Sequence, residues 1–265
     1  MKLRSVALPP EHGSWNLALE PVLLGLLLAP SVPGVAAFIG VAAAFLLRRP
    51  LQVAVTSTFT LRRRAAVSIA IGYGLVGAAA WSWVVLAAGP RPLLTIAVAI
   101  PLAAGTLAAA TRGRSRSAAA DVAAATAFGV LGSAPLLAAG ATLEVAALVA
   151  AIALLRSVPA VAYVRARVAR ERGRPSRVHK MGVVVAHAAA VVAVLAVASA
   201  LLAGSYPPGI AVPWSAAIPY AALLGRAVLG LAARRWPRSI RAVGVLETLL
   251  GVAWLATLVA VVEAI

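Results

Sequence analysis

The sequence predicts an all-α fold, a polytopic transmembrane bundle of about nine helices. Three observations carry this. Hydrophobic residues make up 63% of the chain and charged residues 12%, with a mean hydropathy of +0.99. A soluble domain is instead about half apolar and a quarter charged. The apolar residues gather in runs close to the ~20 residues that cross a bilayer. Cations cluster at every second junction between those runs, which is the positive-inside pattern.

The runs follow in order. The first, 11–30, starts after Pro9-Pro10, where missing N–H groups cost a helix nothing. Ser31-Val32-Pro33-Gly34 is a tight turn in composition and leads into 33–50. The third run, 65–88, follows Arg62-Arg63-Arg64 and stops at Gly89-Pro90. The fourth, 91–111, ends on Arg112, Arg114 and Arg116. The fifth is 118–138, and the sixth, 142–168, contains Pro159, which predicts a kink. The seventh, 180–203, reaches Gly204. The eighth, 210–232, precedes Arg234 and Arg235, and the ninth is 239–263. Trp81, Trp83, Trp214 and Tyr220 suit interfacial aromatic belts.

The charges set the expected topology. Lys2 and Arg4, Arg48 to Arg64, Arg112 to Arg116, Arg165 to Lys180 and Arg234 to Arg241 share one side, and the other junctions carry Arg91 alone. The pattern places the N-terminus in the cytoplasm and the C-terminus outside, in a multi-pass protein of the plasma membrane with one domain over 1–265. No cleaved leader is expected, because Pro9-Pro10-Glu11-His12 interrupts the basic start. The net charge of +17 is assigned to the inner membrane face, where anionic headgroups attract each cation by about 1 kcal/mol. The bilayer is therefore the expected partner, and nucleic acid is not. The chain has no cysteine, so disulfides and thiolate metal sites are excluded. Two inner connections, Arg48 to Arg64 and Arg165 to Lys180, read as long basic loops that cap one opening.

Ionisable residues inside membrane helices cost about 2.5–3.5 kcal/mol each, so each needs a reason. His12, Asn16 and Glu20 recur every four residues and form one stripe on the first helix. Pro21 deprives the Leu17 carbonyl of its donor beside them. A second stripe on the sixth helix holds Arg156, Tyr163, Arg167 and Arg170. Arg156 lies deep and needs a carboxylate, and Glu20 and Glu247 are the deep candidates. A row of guanidinium groups suits phosphate or carboxylate, which it binds bidentately. Arg48, Arg49 and Gln52 close the second helix, and His179-Lys180 open the seventh. These thirteen residues form the candidate ligand-binding set. The competing reading is structural, with the stripes as glue between helices and the arginines as an anchor. The histidines lack His–His or His–Glu helical pairs, so no metal or cofactor is expected. Arg226 is expected to snorkel to the surface, and Asp121 to lie near the inner interface.

Pro10-Glu11-His12-Gly13-Ser14-Trp15 through Glu20-Pro21 resembles the signature that opens YwiC-like membrane proteins. Tyr163-Val164-Arg165 and the arginines after it are similar to that family as well. The architecture also resembles the UbiA prenyltransferase superfamily, which implies nine helices, an inner N-terminus and inner caps after helices 2 and 6. That superfamily holds magnesium and a prenyl diphosphate with aspartate motifs at those caps. Here no Asp or Glu occurs between Glu20 and Asp121. Arg48-Arg49-Pro50-Leu51-Gln52 and Tyr163 to Arg170 stand in their place. If the chain is an enzyme, the resemblance implies a transferase that works without that metal site. The expected function is to bind an amphipathic anion (a polyprenyl phosphate, quinone precursor or lipid) in an inner-facing cavity. Alternatives are a small-anion transporter and a non-catalytic assembly factor for a membrane complex.

Overall fold

The computed structural model describes residues 4–9, 12–114, 117–174, 177–204, 210–232 and 240–264. A short helix α1 (Arg4–Ala7) precedes α2 (His12–Leu28), α3 (Val32–Thr56), α4 (Thr60–Ala88), α5 (Leu93–Thr111), α6 (Ala118–Leu131) and α7 (Ala134–Ala138). Then come α8 (Leu143–Glu171), α9 (Arg177–Leu202), α10 (Ile218–Ala232) and α11 (Ile240–Val261), with a 3-10 turn at Trp214–Ala217. Two-residue strands β1 (Ile210–Ala211), between α9 and α10, and β2 (Glu263–Ala264), after α11, pair antiparallel. The protein is an all-α polytopic bundle.

Among the described residues, eight helical segments are long and apolar enough to cross a membrane, counting 118–138 as one crossing. α2 is shorter, with an apolar stretch of Trp15–Leu28. The expected first span of 11–30 therefore contracts to a 17-residue helix, about 25 Å long. The expected fifth span divides at Gly132-Ser133. There α2 crosses so closely that a Cβ on Gly132 would strike the Pro21 backbone, and one on Gly25 would strike the Gly132 carbonyl. Pro135 suits the first turn of α7, where no N–H is needed.

The long basic loops are a correction. α3 runs on through Arg48, Arg49 and Pro50 to Thr56, and only residues 57–59 separate it from α4. α8 likewise runs through Arg165, Arg167 and Arg170 to Glu171. Arginine is a good helix former, and its stem can reach past the apolar zone, so the basic runs extend the helices. α8 stops at Gly173, whose φ of 72° permits the Arg174 N–H to close back on the Ala169 carbonyl at 2.9 Å. Because the connections are short, successive helices reverse and gather the arginines at one end of the bundle.

Two apolar cores lie on either side of α2. One joins Ala18 and Val22 to Val41, Phe45, Ala99, Phe128 and Leu131 of α3, α5 and α6. The other joins Leu24 and Leu28 to α7, α8, α9, α10 and α11, through Leu136, Leu148, Val149, Ile152, Val194, Leu223, Trp254 and Leu258. Tyr220 belongs to this second core. Its hydroxyl donates to the Ile152 carbonyl at 2.6 Å, so it is not an interfacial residue as expected.

Candidate functional site

Glu20 projects from α2 away from the first core, against Gly251 of α11, where a Cβ would collide with its carboxylate. Across from it stands Arg156 of α8, 2% exposed, with Nη2 3.4 Å from Glu20 Oε2. Glu247 of α11 adds a second carboxylate, Oε2 lying 4.0 Å from Arg156 Nη1 and 3.1 Å from Arg226 Nη2. The Arg156 guanidinium also donates to the Glu247 backbone carbonyl at 3.5 Å. Arg226 of α10 lies over the Tyr163 ring, with Cζ 3.9 Å from its centroid, a cation–π contact strengthened by burial. Two guanidinium groups and two carboxylates thus form one buried, charge-balanced network that ties α2, α8, α10 and α11.

Arg226 corrects the sequence reading. It is 5% exposed and does not snorkel to the surface. The missed signal was Glu247, a carboxylate in an apolar run that needs more than one distant donor. His187 of α9 was also left out of the site. Val183, one turn earlier, packs with Tyr163 and Ala227, which brings His187 beside the network. Its Nδ1 lies 2.8 Å from the Val183 carbonyl. A carbonyl only accepts, so Nδ1 carries a proton there. Several buried atoms here have no hydrogen-bond partner among the described residues: Asn16 Nδ2, Glu20 Oε1, Arg156 Nε, Tyr163 Oη, His187 Nε2, Arg226 Nη1 and Glu247 Oε1.

The rest of the arginine stripe is engaged otherwise. Arg167 is fully buried, 2.7 Å from Glu171, and donates to the Gly230 carbonyl at 3.4 Å. Arg170 donates to the Leu231 carbonyl. Both cap the last turn of α10, whose carbonyls lack intrahelical donors and carry its negative dipole end. Arg165 faces the other way and pairs with Asp121 of α6. His179 is exposed and Lys180 half-buried at the start of α9. The backbone of His12 opens α2, but its side chain lies outside the described residues.

Arg48 and Gln52 are on the opposite side of α2. They sit at the arginine-rich end of a cavity of about 540 Å³ lined by α3, α4, α5 and α6. Small-molecule sites span about 300–1,000 Å³. The walls are mostly small and apolar (Gly40, Ala44, Gly74, Gly77, Ala103, Ala124), with Trp81 and Ile96 at the far end. Asp121 also reaches this cavity, already paired by Arg165. Arg49 donates from Nη1 to Gln52 Oε1 at 3.2 Å and from Nε to the Ser5 carbonyl at 3.4 Å. The candidate residues therefore fall into two places. Glu20, Arg156, Tyr163 and Glu247 meet in the network, with Asn16 on the face of α2 that carries Glu20. Arg48 and Gln52 meet at the cavity, with Arg49 behind them.

Residues 8–136 match the family model for YwiC-like protein. The match covers just under half of the chain. The matched region holds every residue that lines the cavity, from Gly40 to Leu131, together with Glu20. Arg156, Arg226 and Glu247 come after it. No curated protein and no solved structure matches the chain. Family and helices together describe an integral, multi-pass membrane protein associated with the lipid bilayer.

Proposed function

We propose that this protein is a single transmembrane domain of the plasma membrane that binds an amphipathic anion in the cavity of α3 to α6. One observation carries the reading. The cavity is apolar along its length and cationic at one end, where Arg48 makes no ion pair among the described residues. Gln52 adds to that end. Arg49 holds its oxygen, so its amide N–H groups remain to donate. A guanidinium and an amide that only donate suit a phosphate or carboxylate, and the apolar walls suit a hydrocarbon body.

The positive-inside pattern supports a cytoplasmic N-terminus and an outer C-terminus, which opens the ligand's polar end to the cytoplasm. The UbiA-like resemblance rests on helix number and sidedness. Arg48, Arg49 and Gln52 stand where its carboxylates would hold magnesium, so a transferase reading is one in which arginine, without that metal site, holds the diphosphate. The test is titration of the detergent-solubilised protein with a long-chain alkyl phosphate. Binding in the wild type and loss of about tenfold or more in affinity in Arg48→Gln is expected. Equal affinity in both proteins would refute the reading.

The ion network favours a second reading, a carrier for a small anion. Intramembrane ionisable residues with open hydrogen-bonding valences mark substrate pathways. Anion uptake into vesicles that Glu20→Gln and Arg156→Gln both abolish would support the carrier. Full uptake in both variants would leave the network structural.

A further inference from the structure

The cavity is open to the side. α3 packs along α4, and α5 packs along α6, but α4 and α5 share almost no packing although only residues 89–92 join them. The two hairpins diverge, and the space between them is the cavity. Side-chain size keeps it clear. A Cβ added to Gly74 would meet nothing within 4 Å, and one on Gly77 would meet only Ala43 at 3.6 Å. The floor is firm. Phe45 stacks edge-on against Trp15 and Phe128, with ring centroids 4.9 and 5.7 Å apart. Trp81 presses on Gly40 at the far end.

The dimensions select the occupant. From Gly40 to Gln52 the cavity follows α3 for about 18 Å. That is close to one leaflet, half of a hydrocarbon core of about 30 Å. On either side of that mouth α4 carries Leu75, Val76 and Leu86 and α5 carries Val98, all exposed and apolar, and Ile100, exposed too, lines the cavity. Anything that enters there comes from the bilayer. Its polar end must meet the arginine-rich end, where Asp121 is neutralised by Arg165 and Arg48 is the open charge.

We infer that the cavity takes the hydrocarbon chain of an anionic lipid from the arginine-rich leaflet, admitted sideways between α4 and α5. Its head oxygens rest on Arg48 and Gln52. This builds on the proposal that the cavity is the ligand site, and adds the class of ligand and its route. A zwitterionic lipid fits the same chain space but sets its own cation near Arg48. Free phosphate satisfies the donors but leaves the apolar walls empty.

The test uses the full chain in nanodiscs with phosphatidylglycerol or phosphatidylcholine that bear a diazirine on the same chain position. Photolysis is followed by mass-spectrometric mapping of the adducts. Adducts on the cavity faces of α4 and α5 should exceed those at outward residues such as Leu86, and phosphatidylglycerol should dominate. Arg48→Gln should cut the preference for phosphatidylglycerol by about tenfold, the loss of one charge-assisted hydrogen bond. Gly74→Leu should remove cavity adducts with the melting temperature unchanged, and Ala103→Leu should do so from the α5 wall. Excess inorganic phosphate should leave the adducts in place.

Three outcomes overturn the inference. Adducts equal inside and outside the cavity, with no headgroup preference, mean an ordinary lipid annulus. Displacement by phosphate means a head site without a chain site. Labelling kept in both filled variants means that no chain lies in the cavity. If the alkyl phosphate still binds from solution through Arg48 in any of these cases, the functional reading survives and only the lipid route falls. If it does not bind either, both fall.

Discussion

Removing Glu247 should cost more stability than removing Glu20, although both are buried carboxylates facing Arg156. Glu20 has one guanidinium near it, with oxygen and nitrogen 3.4 Å apart. Glu247 has two, at 3.1 and 4.0 Å. At an effective dielectric of about 20, a unit pair at 3.4 Å attracts by roughly 5 kcal/mol before desolvation is counted. Breaking a buried pair from one side typically costs about 3–5 kcal/mol, because a charge is left without a partner. Glu20→Gln leaves Arg156 beside Glu247 and should fall below that range, at about 2 kcal/mol. Glu247→Gln leaves Arg226 facing Arg156 across a space with no charge between them, and should reach the upper part of the range.

Arg156→Gln strips Glu20 of its ion pair while Glu247 keeps Arg226. Combining it with Glu20→Gln removes the carboxylate that Arg156→Gln leaves unpaired, so the double variant should recover about 1–3 kcal/mol relative to the sum of the single losses. Unfolding the purified protein by titration with a denaturing detergent gives all four free energies. If Glu20→Gln costs as much as Glu247→Gln, or if the double variant is additive, the shared network described above is wrong.

Other outcomes follow from single contacts. Gly25→Ala should cost several kcal/mol, because the new Cβ meets the Gly132 backbone carbonyl, whereas Gly74→Ala should be near neutral; thermal melts of the two variants check this. Arg170→Gln should loosen the last turn of α10 by about 0.3–1 kcal/mol, read as faster amide exchange around Gly230 and Leu231 with the rest of the bundle unchanged. A reporter enzyme that works only outside the cytoplasm should be active when fused after Ile265, and a reporter restricted to the cytoplasm should be inactive there.

The crossings were legible because each is a run of apolar residues bounded by Gly, Pro or Arg, and the helix ends agree with the expected spans to within a few residues at most junctions. The exceptions have physical causes. Arg48 to Thr56 looked like a loop because it opens on Arg48-Arg49-Pro50, yet arginine favours helix and the interface solvates its side chains, so α3 continues. The break at Gly132-Ser133 follows from the approach of Pro21, more than a hundred residues earlier, and no local pattern announces it. Half of the network was legible on electrostatic grounds. Arg156 lies too deep to reach water, so it required Glu20 and Glu247. Arg226 was misjudged because its distance from the end of α10 allowed snorkelling, and only the fold shows that Tyr163 covers its face while Glu247 takes its charge.

The cavity was not legible at all, and the reason bears on function. It is made by residues that do not fill space, and alanine and glycine are so frequent in this chain that their presence on α4 and α5 carries no signal. What opens it is the lack of packing between two helices joined by residues 89–92, a property of the pair and not of either sequence. Helices that only needed to span could close that seam with larger side chains, since a Cβ would meet no obstacle at Gly74. Instead the seam leads from the bilayer to Arg48, while the charges that could compete with an incoming anion, Glu20 and Glu247, are held by Arg156 and Arg226 on the other side of α2. α2 therefore separates two electrostatic environments. One is balanced and links four helices, and the other offers an open cation at the end of an apolar channel.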